Sequence, residues 1–117
     1  MKHLSSSDSK WVDKEGYSKR IFLDEKDIKK KGILFQQLRV KSGEVTDTHF
    51  HKKQTEIFYF LNNNGYFVVN SKKLDINVGD ILVIEPYDIH EVVNDKKEDF
   101  IYLAFKFDWV ENDYFIK

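Results

Sequence analysis

The sequence predicts a single all-β domain, a sandwich or barrel, and three observations carry that expectation. Aromatic and β-branched residues gather in short runs, the runs recur at regular spacing, and turn-forming clusters such as Asn62-Asn63-Asn64-Gly65 separate them. With 117 residues, 41% hydrophobic and 33% charged, the chain is long enough for one core and unlike a disordered one. Ten Phe, six Tyr and two Trp predict a core rich in aromatic rings.

The expected strands, in order, are Tyr17–Leu23, Ile33–Lys41, Thr46–His51, Glu56–Leu61, Tyr66–Asn70, Lys73–Ile76, Asp80–Ile84, Ile89–Asn94 and Phe100–Phe107. Asn62–Gly65 reads as a hairpin turn, because Asn and Gly tolerate positive φ. Asn70–Lys73 and Asn77–Asp80 read as two more. Asp24–Lys31 is either a helical turn or a charged loop. The tail from Asp108 to Lys117 is either a short helix or a segment docked by Trp109, Tyr114 and Phe115.

Composition narrows the function. A net charge of -1 offers no broad cationic field for a phosphate backbone, and Lys29-Lys30-Lys31 reads as a solvated turn. The absence of cysteine excludes disulfides, zinc ribbons and thiol nucleophiles. The first residues hold no apolar stretch of the secretory kind, and no run approaches the roughly 20 apolar residues that span a bilayer. The expectation is a cytoplasmic protein that binds neither nucleic acid nor membrane.

Four histidines are present, and His49 and His51 stand one residue apart in an aromatic run. On a strand, residues two apart share a face with their Cα atoms roughly 6.6 Å apart, so both rings can reach one metal ion. The connection of residues 52–55 suits a hairpin, and Glu56 beyond it can bring a carboxylate to the same ion, leaving other coordination positions open. Alone, this stretch is equally compatible with surface or hydrogen-bonded core histidines. His90, entering another strand just after Pro86, supplies a third imidazole, while His3 lies apart at the terminus.

From Gly43 to Asn94 the chain resembles the cupin family. Its first motif, G-x5-H-x-H-x3,4-E-x6-G, is matched by Gly43, His49, His51 and Glu56, with the closing glycine displaced to Gly65. The second, G-x5-P-x-G-x2-H-x3-N, is matched by Gly79, His90 and Asn94. Glu85 and Tyr87 replace its proline and glycine, and Pro86 is shifted by one.

The resemblance implies a double-stranded β-helix, or jelly-roll barrel, forming one domain over residues 1–117, with motif one at 43–65 and motif two at 79–94. An N-terminal arm (1–16) and a C-terminal tail (108–117) flank it. It also implies a homodimer and one divalent transition metal ion per chain (Fe, Mn, Ni, Zn, Co or Cu), held by His49, His51, Glu56 and His90. The implied function is a metal-dependent oxidoreductase of dioxygenase-like type, or an isomerase. The alternatives are a non-catalytic cupin that binds or senses a small molecule such as a sugar, and a metal-independent sugar epimerase or isomerase using a histidine as base. Candidate pocket residues are Phe58, Phe60, Tyr87, Tyr102 and Lys106. Gln37 and Arg39 face either the pocket or solvent. In Phe100–Phe107, the face bearing Ile101, Leu103, Phe105 and Phe107 reads as core.

Overall fold

Alternate side chains of a strand turn to opposite sides, so each strand here offers one row to a shared interior. The computed structural model describes residues 1–117. In chain order the elements are β1 (Val12–Lys14), β2 (Tyr17–Asp24), α1 (Glu25–Ile28), β3 (Leu34–Val40), β4 (His49–Phe50), β5 (Thr55–Phe60), β6 (Tyr66–Val69), β7 (Lys72–Asp75), β8 (Ile81–Ile84), β9 (His90–Val93), β10 (Phe100–Phe107) and β11 (Phe115–Ile116). A six-stranded sheet runs β1-β2-β3-β10-β5-β8, and a five-stranded sheet runs β11-β4-β9-β6-β7. Every pairing is antiparallel. The chain passes from sheet to sheet as a jelly roll does.

The core lies between the sheets and is aromatic, as composition predicted. Phe58, Phe60 and Tyr102 from one sheet meet Phe67 from the other, and Phe100 stacks on Phe60 with centroids 5.7 Å apart. No helix is long and apolar enough to cross a membrane.

Several expected connections are different in kind. Only the turn after β6 makes a tight hairpin among the three proposed, with Asn70 and Ser71 at φ 49° and 68°. Residues 62–65 instead carry the chain from β5 in one sheet to β6 in the other, and none of them has positive φ. Side chains hold that corner. Asn62 Oδ1 accepts from Asn64 N and Ile101 N, while both Asn62 and Asn64 donate to the Asp99 carbonyl. Gly65 is needed for space, since a Cβ there would lie 2.6 Å from the Val93 carbonyl oxygen and against the Phe100 ring. Asn77–Asp80 and residues 52–55 likewise change sheet rather than close hairpins.

The strand expected over Thr46–His51 is reduced to His49–Phe50, with an isolated bridge from Val45 to Val93 before it. Asp24–Lys31 does contain a helical turn. Asp24 caps it, accepting from Lys26 N, and Asp27 reaches back to Asp24 N. The tail is docked, not helical: β11 pairs with β4, Phe115 stacks on Phe50, and Trp109 contributes its backbone N–H to the Gly32 carbonyl.

The face of β10 read as core is the outer one. Phe100, Tyr102 and Ala104 point inward, whereas Phe105 and Phe107 are exposed. Both rows of this strand are apolar, so alternation alone did not mark the inside. Phe105 stacks on Phe35 of the adjacent strand, with centroids 4.2 Å apart and planes within 6°.

Candidate metal centre

The jelly roll brings histidines from the five-stranded sheet over a carboxylate from the six-stranded one. His49 on β4 sits directly opposite His90 on β9. His51 follows in the corner between sheets, and Glu56 rises from β5. One imidazole nitrogen from each of His49, His51 and His90 lies within 4.8 Å of the others. Glu56 is outside that mutual set but joins it through two members: its Oε1 is 2.9 Å from His51 Nε2 and 4.0 Å from His90 Nε2.

The backbone orients all three rings alike. His49 Nδ1 contacts the Asp47 carbonyl at 2.7 Å, His90 Nδ1 the Asp88 carbonyl at 2.9 Å, and His51 Nδ1 the Asp113 carbonyl. A carbonyl only accepts, so each Nδ1 must carry its proton and donate. In the neutral ring this leaves Nε2 as a bare lone pair. Partners of this kind orient metal-binding histidines.

The electrostatics keep His49, His90 and Glu56 in their binding forms. Burial lowers the pKa of His49 to about 3, and His90 beside it acts in the same direction. Burial likewise lowers His90, against the pull of Glu56. Burial would raise Glu56, but the Lys106 charge beside it overcomes this and holds the carboxyl low, at about 2. The buried His51 Nε2 has no hydrogen-bond donor and faces the Glu56 carboxylate. Two lone-pair atoms in such contact fit a shared cation. The residues present therefore suit a metal ion.

The site opens into a small cavity of about 60 Å³. Among the expected pocket residues, Phe58, Tyr102 and Lys106 line it. Phe60 does not, being wholly buried in the core. Tyr87 does not either: it is 62% exposed in a left-handed turn (φ 71°), with its ring toward Phe50 on the outer side. Gln37 and Arg39 face outward, Gln37 accepting from Arg20 and Arg39 lying over Trp11.

Several residues of this site went unread. Gln36 lines the cavity, a position legible from its parity with Leu34, Leu38 and Val40. Tyr17 also lines it, from the start of β2. Tyr114 stacks on His49 at 4.3 Å, and burial pushes its hydroxyl up to about 12. Asp113 accepts the backbone N–H groups of Lys52, Lys53 and Gln54 with its carboxylate. No local pattern announced Asp113, because its partners lie some sixty residues away.

Known proteins agree with this architecture. Residues 36–106 match the family model described as Cupin domain. An oxalate-binding protein of Thermotoga maritima is 30% identical over 74 residues, covering 63% of this chain. The chain covers 61% of that relative's length. The crystal structure of a predicted oxalate decarboxylase from the same organism superposes with a TM-score of 0.76 at 23% identity, covering 91% of this chain and 98% of its own. The polyketide cyclase RemF of Streptomyces resistomycificus gives 0.77 at 20% identity, covering 97% and 89%.

Proposed function

The chain belongs to the cupin domain family, and from that premise we propose that it is a metal-dependent enzyme acting on a small oxygen-donor molecule, of dioxygenase-like oxidoreductase or isomerase type. One observation carries the reading: three histidines, each held at Nδ1 by a backbone carbonyl, bring one ring nitrogen apiece within 4.8 Å of the others, with the Glu56 carboxylate against His51 Nε2. His49, His51, Glu56 and His90 form a mixed nitrogen and oxygen set suited to Fe, Mn, Ni, Co, Cu or Zn. When bound, such an ion supplies Lewis-acid or redox chemistry. Lys106, on the same cavity wall as Glu56, supplies positive charge for an anionic ligand. Leu38, Phe58 and Val92 form an apolar lining that limits water around it.

The test is metal analysis of protein purified without a histidine tag. About one transition ion per chain is expected, falling sharply in His49→Ala and Glu56→Ala. A content well below one per chain that His49→Ala leaves unchanged would overturn the proposal.

A second reading is reversible capture of a small carboxylate without turnover, favoured by the likeness to an oxalate-binding protein. A metal-loaded protein that binds oxalate and leaves it unchanged supports this reading over catalysis.

We also propose a homodimer formed through the outer face of the six-stranded sheet. There Phe105, Phe107, Val83 and Ile81 are 37, 41, 48 and 66% exposed, an apolar surface that favours a covering partner. Light scattering after size exclusion should give twice the chain mass, and Phe105→Lys should halve it.

A further inference from the structure

Gln36 and Gln37 are neighbours on β3 with opposite fates. Gln37 points outward, and its Oε1 accepts a 2.8 Å hydrogen bond from Arg20 Nε. Gln36 points inward, is 2% exposed and lines the metal cavity, yet its Oε1 has no hydrogen-bond partner. Buried polar atoms are nearly always paired, and an unpaired one on a ligand cavity is a place for a ligand to supply the missing partner.

The surroundings define what that partner must be. Gln36 lies opposite Ala104, which in turn lies opposite Phe58, so its own row across the sheet offers no donor. The next row holds Lys106 opposite Glu56, beside the metal ligands. A ligand that brings an anionic oxygen toward Lys106 and the histidines therefore extends its other end past Ala104, the smallest side chain of that row, toward Gln36. To satisfy an amide oxygen, that end must donate.

Resting on the metal-dependent reading above, we propose that Gln36 is a specificity-determining residue that accepts a hydrogen bond from a hydroxyl, so that the preferred ligand is a small hydroxy-carboxylate. Oxalate, which at neutral pH carries only acceptors, leaves Gln36 Oε1 unpaired. A hydroxylated acid pairs it, and a site built to bond a hydroxyl discriminates against the analogue lacking one.

Malate and succinate differ by one hydroxyl and make the test. Calorimetric titration of the Mn²⁺-loaded protein should show malate bound about tenfold more tightly than succinate, and Gln36→Leu should bring the ratio to about one. Gln37→Leu, on the outer face, should leave the ratio unchanged. A malate preference that survives Gln36→Leu would come from chelation at the metal alone and overturns the proposal while leaving the metal site standing. A preference for succinate or oxalate that Gln36→Leu abolishes also overturns it, because the amide N–H would then face the ligand. Failure of the loaded wild type to bind either acid overturns it too. Conversely, a wild type that takes up none of Mn²⁺, Fe²⁺, Co²⁺, Ni²⁺, Cu²⁺ or Zn²⁺ but still prefers malate through Gln36 would refute the metal-dependent reading and support this one.

Discussion

Asp113 and His51, 62 residues apart, are tied together at both ends of the aspartate. The Asp113 carbonyl accepts from His51 Nδ1, and its carboxylate accepts from Lys52 N at 2.8 Å and from Lys53 N and Gln54 N at 3.0 Å. One residue of the tail thus orients a candidate ligand and holds the corner that follows it. Those three N–H donors draw the Asp113 carboxyl below its usual pKa, against the cost of burying it.

Removing that clasp should loosen His51 without dismantling the barrel. Asp113→Ala keeps the carbonyl that His51 Nδ1 donates to but frees the corner that positions it, and is expected to lower metal affinity by up to about 10-fold, the low end of the cost of disturbing an outer partner of a ligand. Competition with a chromophoric chelator measures it. Unchanged affinity would mean that the corner of residues 52–54 holds its shape without the tail.

Acid should destabilise the metal-free protein, and the sign follows from the shifts. His49 titrates near 3 in the fold against 6.5 in an unperturbed ring, so the unfolded chain binds more protons between those values. Stability is full above about pH 6.5 and declines as the pH falls toward 3. Glu56, at about 2 against 4.5, adds a further loss below 4.5. His90, also lowered, acts in the same direction as His49. The urea midpoint should therefore fall between pH 7 and 4, and His49→Gln should shallow that decline. A midpoint flat over this range would contradict the burial of neutral histidines.

Asn94, at the end of the second motif, has a structural task. Its Nδ2 donates to the carbonyls of Val40 and Glu98, and its Oδ1 accepts from Lys96 N, each at 2.8 Å. Asn94→Leu leaves those groups unpaired where Asn94 is buried, and should cost about 2–3 kcal/mol in chemical denaturation. Metal content per folded chain should not change.

Tyr87 tests the opposite case, a residue beside the site but outside the cavity. Its left-handed backbone is one that glycine adopts without a side-chain penalty. Tyr87→Gly should leave stability equal or raise it by about 1 kcal/mol, less whatever the Phe50 contact contributes. Ligand affinity should be unaffected. A clear loss of affinity by calorimetry would return Tyr87 to the residues of the pocket.

Much of this protein was determined by sequence alone, because the relevant signals are local. Short aromatic and β-branched runs between turn-forming clusters marked most of the strands, with boundaries that moved by a residue or two. The resemblance to the cupin motifs pointed to His49, His51, Glu56 and His90, four side chains that the barrel brings near one another. Tertiary structure decided what alternation leaves open. β10 is apolar on both rows, so only its neighbours on each side could choose Tyr102 and Ala104 for the interior. Residues 52–55 and 62–65 have the composition of hairpin turns, yet each ends a strand whose partners lie elsewhere in the chain, so pairing sends them across to the opposite sheet. Asp113, Tyr114 and Gln36 belong to the site because long-range register carries them there, and pairing between distant strands is a property of the closed barrel rather than of any short stretch within it.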